Sequence, residues 1–314
     1  MSRGAPFGSE SVPARSTVVV TQRERYGYTR RSLESLYGST AVPFELVYVD
    51  SGSPPHIQAY LEQQSRVRPS FKLIRHDSYL GQNEARNIGF REVDTEYAVF
   101  LDNDVVMERG WLEGLLSCAD ESRAAIVGPL YMIGEPGRAV VHMAGGDFHV
   151  VEKNERKAFS EKPRHANVAL SEIEATLTRE PVDFVDLHCT LVRSEALREM
   201  NGFDEKMLTI RQHLDLCLEA SRRGFQVILE PSVKATFVPP SALEPTDRRF
   251  FRRRWDRDRN LATLNHFCAK WGYDNDEEAL SWIRYYRWKA SWPRLWKIAR
   301  LGRRAVSAAR SSTP

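Results

Sequence analysis

The stretch Tyr97-Ala-Val-Phe-Leu-Asp102-Asn-Asp104-Val-Val decides the fold of this chain. A short apolar run of β-favouring residues meets two carboxylates one residue apart. Such a run, bounded by polar residues, reads as a buried parallel strand. Side chains at i and i+2 of an extended backbone point the same way, so Asp102 and Asp104 are expected to emerge together at the strand's carboxyl end. That end is where open α/β sheets hold their ligands. Two carboxylates there repel unless a cation sits between them, and a hard divalent ion bridging to a diphosphate answers that need. A solvated turn closing the strand is the other reading of the same residues.

Working outward, Thr17-Val-Val-Val-Thr21 predicts a first buried strand, and Tyr28–Tyr37 a helix ending at Gly38. Phe44-Glu-Leu-Val-Tyr-Val-Asp50 predicts a second strand, and Ser51-Gly52-Ser53-Pro54-Pro55 a turn that opens a helix toward Ser65. Phe71-Lys-Leu-Ile-Arg75 predicts a third strand. Gly81-Gln-Asn-Glu-Ala-Arg86-Asn87 starts a helix ending near Phe90, and Trp111–Ala119 forms another. Strand and helix alternate, so the class is α/β, a doubly wound and mostly parallel sheet with helices on both faces.

At 314 residues, with 42% hydrophobic and 28% charged residues, the chain can bury a large core and is not disordered throughout. Its net charge of +3 hides an asymmetry: from Thr246 onward 17 Lys/Arg stand against 7 Asp/Glu, or +10, leaving −7 before. The cysteines (Cys118, Cys189, Cys217, Cys268) lie far apart among apolar residues, without zinc-ligand spacing, and are expected to be buried thiols. No apolar run reaches the ~18 residues of a membrane span. Residues 1–15 are polar and rich in Gly, Pro and Ser, without the apolar core of a signal peptide; a disordered start and a cytoplasmic protein are expected.

Val49-Asp50-Ser51-Gly52-Ser53, then Ala85-Arg86-Asn87, then Asp102-Asn103-Asp104 resembles, in order and spacing, the nucleotide-binding half of a family 2 glycosyltransferase of GT-A fold. Any one motif is weak; three in series are fairly specific. Phe184-Val-Asp-Leu-His188-Cys-Thr-Leu-Val-Arg193 and Gly202-Phe203-Asp204-Glu205 continue the likeness. Arg211-Gln212-His213-Leu214-Asp215-Leu216-Cys217-Leu218 corresponds to the family's EDxDL element. The resemblance runs from about Thr17 to Val238. It implies a GT-A domain over 16–240, with a nucleotide-sugar half at 16–110 and an acceptor half at 111–240, and a basic, Trp-rich helical extension over 241–314. The sequence departs from the pattern twice. Gln212-His213 replaces the Glu-Asp pair, and Phe237 stands where a metal-binding histidine often follows the last strand.

The resemblance implies metal-dependent transfer of a sugar from a nucleotide-diphosphate sugar to an acceptor hydroxyl, with inversion. It places donor contacts at Thr21, Asp50, Ser51, Gly52, Arg86, Asn87, Asp102 and Asn103. A Mn2+ or Mg2+ ion held by Asp102 and Asp104 would neutralise the leaving diphosphate. The acceptor must lose a proton as it attacks, and His213 is the candidate base, because an imidazole titrates at about pH 6.5. Asp215, two residues on, would orient or replace it, although residues two apart on a helix do not share a face. His142, beside Gly145 and Gly146, His188 and His213 itself compete as third metal ligand. The other accounts are a helix-capping histidine at 213 and a hydrogen-bonded core histidine at 188.

In the tail, Phe250–Trp255 and His266–Trp271 predict helices covering the acceptor side, and Asp274–Glu278 an acidic helix start. Trp288, Trp292 and Trp296 recur every fourth residue, opposite Arg294, Lys297, Arg300 and Arg304. That pattern suits either packing on the protein's own body or an anionic membrane surface, at the inner face of the membrane and near a glycan or lipid-linked acceptor. Nucleic acid is not expected, since no stacking module accompanies the charge. Two further classes remain: a nucleotide-sugar-binding protein without catalysis, motivated by the lost Glu-Asp pair, and a nucleotidyltransferase. The latter would want a glycine-rich phosphate loop, which Thr21-Gln-Arg-Glu-Arg25 lacks.

Overall fold

The computed structural model describes residues 13–23, 25–153, 155–239, 244–274, 279–285 and 288. The first part of the chain forms β1 (Ser16–Thr21), α1 (Thr29–Gly38), β2 (Glu45–Ser51), α2 (Pro55–Val67), β3 (Phe71–His76), α3 (Gln82–Phe90), β4 (Tyr97–Asp102), β5 (Val105–Met107) and α4 (Trp111–Ser122). Then come β6 (Ile126–Ile133), β7 (Val141–Met143), β8 (Gly146–Lys153), β9 (Arg156–Pro163), α5 (Leu170–Ile173), β10 (Glu180–Pro181), β11 (Cys189–Arg193), α6 (Ser194–Glu199), α7 (Gln212–Arg222), β12 (Val227–Phe237), α8 (Asp247–Arg254) and α9 (Arg257–Trp271). The first four strands and their helices fall within a few residues of the expected bounds. The helix after β4 runs past Ala119 to Ser122.

The main sheet has the order β10-β12-β6-β11-β4-β1-β2-β3. β3, β2, β1 and β4 are parallel, as are β6 and β12, but β11 runs antiparallel between β4 and β6. β1 and β4 are buried along their whole length, as strands covered on both faces must be. Their side chains alternate between two apolar layers. Val19, Val49, Ala98 and Phe100 join α3, α6, α7 and α9 on one face; Val18, Val20, Tyr48, Val99 and Leu101 join α1, α2 and α4 on the other. Helices thus cover both faces, and all four cysteines are buried.

β8 and β9 form a separate two-stranded hairpin that has no counterpart among the elements expected from the sequence. Its root packs tightly: a Cβ at Gly146 would lie 2.1 Å from Phe184 Cζ, so only glycine lets the ring in. Its far end docks on the tail. Phe159 meets Phe267 and Tyr273 at ring distances of 5.2 and 5.0 Å, and the Lys157 and Asp274 segments exchange two hydrogen bonds.

Both expected tail helices form, α9 longer than anticipated and capped by Asp256, whose carboxylate accepts from the amides of Asp258 and Arg259. They pack into the body: Phe250 against Tyr26 and Tyr79, Asn260 and Thr263 against Thr209. Residues 279–285 are helical. Among the described residues no helix is long and apolar enough to cross a membrane. The disorder expected over residues 1–15 does not reach Arg15, which pairs with Glu96 and Asp120; residues 1–12, most of the acidic Asp274–Glu278 start, and the Trp292–Trp296 stripe with its basic face from Arg294 to Arg304 lie outside the described residues.

Candidate active site

The carboxyl end of β4 lies on a cavity of about 530 Å³ bordered by Arg23, Arg86, Asp102, His142, Asp186 and His213. The strand stops at Asp102, and Asn103 and Asp104 form the turn into β5. The alternation expected to bring the two carboxylates out together therefore ends one residue too early. Asp102 faces the cavity, while Asp104 is fully buried in the turn and does not border it.

Asp102 is the hub. Its Oδ1 accepts from Arg86 Nη2 at 3.3 Å; its Oδ2 lies 3.3 Å from Arg23 Nη1 and 3.0 Å from His188 Nδ1. Burial alone would raise its carboxyl, but the His188 bond and the two guanidinium charges hold it below the ordinary aspartate value. Arg86 is itself fully buried and lowered by that burial to about 10, so it stays charged at neutral pH. Its other partners are neutral, Asn83 Oδ1 at 3.0 Å and Gln212 Oε1 at 3.1 Å.

Two expected ligands, His142 and His188, do come together, and Asp186 joins them. One donor atom from each lies within 4.8 Å of the others. Asp186 Oδ1 accepts from the Leu187 amide at 2.6 Å, which turns Oδ2 toward His188 Nε2 at 3.5 Å and His142 Nε2 at 3.8 Å. Burial and the nearby Arg23 charge lower His188 to about 4, so this imidazole is neutral at physiological pH, the form that ligates a metal. A proton on Nδ1 satisfies Asp102 and leaves Nε2, which Arg23 Nη1 also meets, on the side of Asp186 and His142, the usual way a carboxylate orients a ligating histidine. Two imidazoles and a carboxylate fit a divalent ion. Phe237, in place of the family's histidine, stacks on the His188 ring at 4.1 Å and lies 4.7 Å from the Arg23 guanidinium.

The other expected donor residues are held by protein partners. Asp50 is fully buried. Its Oδ1 accepts from Gln22 Nε2 at 2.6 Å and the Ser53 amide at 3.1 Å, and its Oδ2 pairs with Arg75 and Ser53 Oγ. Gly52 turns the chain with φ 69°, and Ser51 Oγ accepts from the Leu80 amide at 2.7 Å. Asn103 braces the loop that carries Arg23: its Oδ1 accepts from the Arg23 amide and its Nδ2 donates to the Arg25 carbonyl and Thr29 Oγ1. Thr21, the last residue of β1, accepts from the Asn103 amide at 3.0 Å. Asn87 is turned away from the cavity, bonded to the backbone of Phe203 and to Glu205.

On the acceptor side α7 separates the two expected catalytic residues. His213 borders the cavity, with Nε2 3.1 Å from Glu161 Oε2. Asp215 lies on another face of the helix, bonded to Trp271 Nε1 at 2.9 Å and Lys270 Nζ at 2.8 Å. It neither orients nor replaces His213 here, because neighbours two apart on a helix diverge. Sequence reasoning missed Arg23, Glu161 and Asp186. Only Asp186 left a local sign, the Asp-x-His spacing before an apolar strand; the other two depend on long-range packing.

With this geometry in hand, a family model described as Glycosyl transferase family 2 matches residues 16–200. The chain is 28% identical over 216 residues to the pre-mycofactocin glycosyltransferase of Mycobacterium tuberculosis, covering 68% of this chain and 41% of that protein. It is 25% identical over 227 residues to the O-antigen biosynthesis protein RfbC of Myxococcus xanthus, covering 69% and 17%. The chain therefore spans less than half the length of these relatives. GalNAc-T7, solved with UDP, GalNAc and Mn2+, superposes with a TM-score of 0.56 at 16% identity over 76% of this chain and 48% of that one. The mannosyltransferase PcManGT from Pyrobaculum calidifontis, solved with GDP-Man and Mn2+, gives 0.52 at 15% identity over 97% and 79%. These likenesses establish the GT-A fold.

Proposed function

The chain belongs to glycosyl transferase family 2, and from that premise we propose that it moves a sugar from a nucleoside-diphosphate sugar to an acceptor hydroxyl. The observation that carries this reading is the convergence of His142, Asp186 and His188 beside the Asp102–Arg86 pair at the sheet's carboxyl edge. Two nitrogen donors and one oxygen suit Mn2+ better than Mg2+, which prefers oxygen. The Mn2+ in the GalNAc-T7 and PcManGT structures agrees. Bound there, such an ion offsets the charge that builds on a departing diphosphate.

The protein's own groups do the rest. Asp102 fixes the His188 ring through Nδ1. Arg23 and Arg86 set positive charge along the wall where an anionic donor would lie. The Asp50 cluster, with Gln22, Ser53 and Arg75, shapes the nucleoside end. His213 takes the acceptor proton; attack from its side, opposite the leaving diphosphate, inverts the anomeric carbon. At the mouth, Trp282 and Tyr285 are 44% and 53% exposed, and Trp288, its ring 6.3 Å from that of Tyr285, is 49% exposed, which supports an acceptor presented at a membrane surface.

The test is a thermal-shift panel of UDP- and GDP-sugars with and without Mn2+, on wild type, Asp186→Asn and His188→Ala. A cognate donor raises the melting temperature only with Mn2+, and neither variant responds. Equal stabilisation without the ion removes the metal-centred reading. Product analysis separates the classes: nucleoside diphosphate marks sugar transfer, pyrophosphate a nucleotidyltransferase, and binding with no turnover of any donor a protein that only binds.

A further inference from the structure

We propose that Glu161, carried into the site by the β8–β9 hairpin, is the positioning residue that sets the tautomer of His213. This rests on His213 as the group that takes the acceptor proton. Glu161 is almost wholly buried, its side chain 3% exposed, yet charged. Burial pushes its carboxyl up, but the His213 bond and the Arg211 charge bring it below the ordinary glutamate value, which makes it a poor base and a firm acceptor. Among the described residues, Oε1 meets Arg211 Nη1 at 2.6 Å, and Oε2 meets His213 Nε2 at 3.1 Å. Arg211 reaches this position from a left-handed backbone, φ 60°, just before α7, a conformation that a non-glycine residue holds only where its surroundings enforce it.

The chemistry follows from the two ends of the imidazole. An ionised carboxylate only accepts, so Nε2 must carry the proton it donates to Glu161, and Nδ1 keeps its lone pair. As the acceptor oxygen bonds to the anomeric carbon, its proton passes to Nδ1. The bond from that carbon to the diphosphate oxygen breaks, and the electron pair leaves with the diphosphate. The Nε2 proton stays on the ring, held by Glu161, and the imidazolium later releases the other proton to water. Arg211 saturates the far oxygen and keeps the carboxylate from rotating.

Glu161→Gln tests this, because the amide must present its oxygen to Arg211 and hence its NH2 to His213 Nε2. That reverses the tautomer and puts a proton on Nδ1. The readout is 15N imidazole NMR of the full chain, free of any donor, with Mn2+-dependent hydrolysis of UDP-N-acetylglucosamine and GDP-mannose followed in parallel. Wild type should show Nε2–H, Glu161→Gln Nδ1–H, and Glu161→Asp a return toward Nε2–H, which also keeps the test decisive should the amide variant fail to fold. For whichever donor is hydrolysed, kcat in Glu161→Gln should fall by about 10²-fold, the scale of a lost general base, with the donor KM unchanged.

The same tautomer in wild type and Glu161→Gln overturns the proposal, as does a loss confined to KM. His213→Ala separates the two layers. Hydrolysis at the wild-type rate in that variant ends the base assignment whatever NMR shows. An inactive His213→Ala beside an unchanged tautomer in Glu161→Gln ends only the role of Glu161.

Discussion

Asp102→Asn removes one charge from a cluster nearly sealed from water, and its effect can be ranked against that of the opposite partner. Arg86 and Asp102 are each 2% exposed along the side chain and lie 3.3 Å apart. With the carboxylate gone, the hydrogen bonds left to Arg86 all go to neutral oxygens, those of Asn83, Gln212 and the new amide, and its remaining compensating charge is the non-bonded Asp186. Orphaning a buried charge costs about 3–5 kcal/mol, and for a chain of this size that corresponds to a melting point lower by roughly 5–8 °C. Arg86→Met does less, because Asp102 retains Arg23 at 3.3 Å and His188 at 3.0 Å; about 1–3 kcal/mol is expected. The double variant no longer holds an unpaired guanidinium, so it should be more stable than the two single losses predict, by about 1–3 kcal/mol. Urea and thermal melts at pH 7 measure all three. Strict additivity, or an Asp102→Asn protein that melts with wild type, would refute the reasoning.

Asp215→Asn should lose about 1–2 kcal/mol through its contacts with Lys270 and Trp271, while kcat of the folded enzyme stays within a few-fold of wild type; a hundredfold loss at unchanged stability would return Asp215 to the chemistry. Gly146→Ala drives a methyl into the Phe184 ring, 2.1 Å away, and should cost about 1–3 kcal/mol, with a melting curve as readout. Acid melts of Arg15→Ala probe the tie to Asp120, whose carboxyl is drawn down to about 2, chiefly by the Arg15 hydrogen bond. A depressed carboxylate adds stability that is present above about pH 4 and fades as pH falls toward 2. The variant should therefore lose less than wild type across that window, by an amount that salt reduces because both groups are exposed. Co-sedimentation with anionic liposomes should weaken in Trp282→Ala/Trp288→Ala; undiminished binding removes the rim from any membrane contact.

Much of the architecture was legible because it depends on local pattern. Continuous apolar runs such as Val18–Val20 and Tyr97–Leu101 must be buried strands, and the residues between them wind as helices. The donor side was half legible. Asp102 and Arg86 sit as expected, but the turn at Asn103 cannot be foreseen from alternation, because extended geometry ends one residue before the rule needs it. Asn87 and Asp215 carry family-like spacing, yet each is drawn to a polar partner on a neighbouring element, Phe203 and Glu205 for one, Lys270 and Trp271 for the other. Glu161 was not legible. It sits on an alternating, largely polar strand, and only the docking of that hairpin on α9 brings it beneath His213.

The antiparallel strand β11 has a consequence for how the molecule is made. Until β11 pairs with β4, the edge of the early four-stranded unit stays open, a template for unwanted partners. The same zippering draws the amide of Asp102 onto the carbonyl of His188. Edge protection and assembly of the Asp102–His188 corner are thus one event in folding, and a nascent chain that stops short of residue 193 has neither.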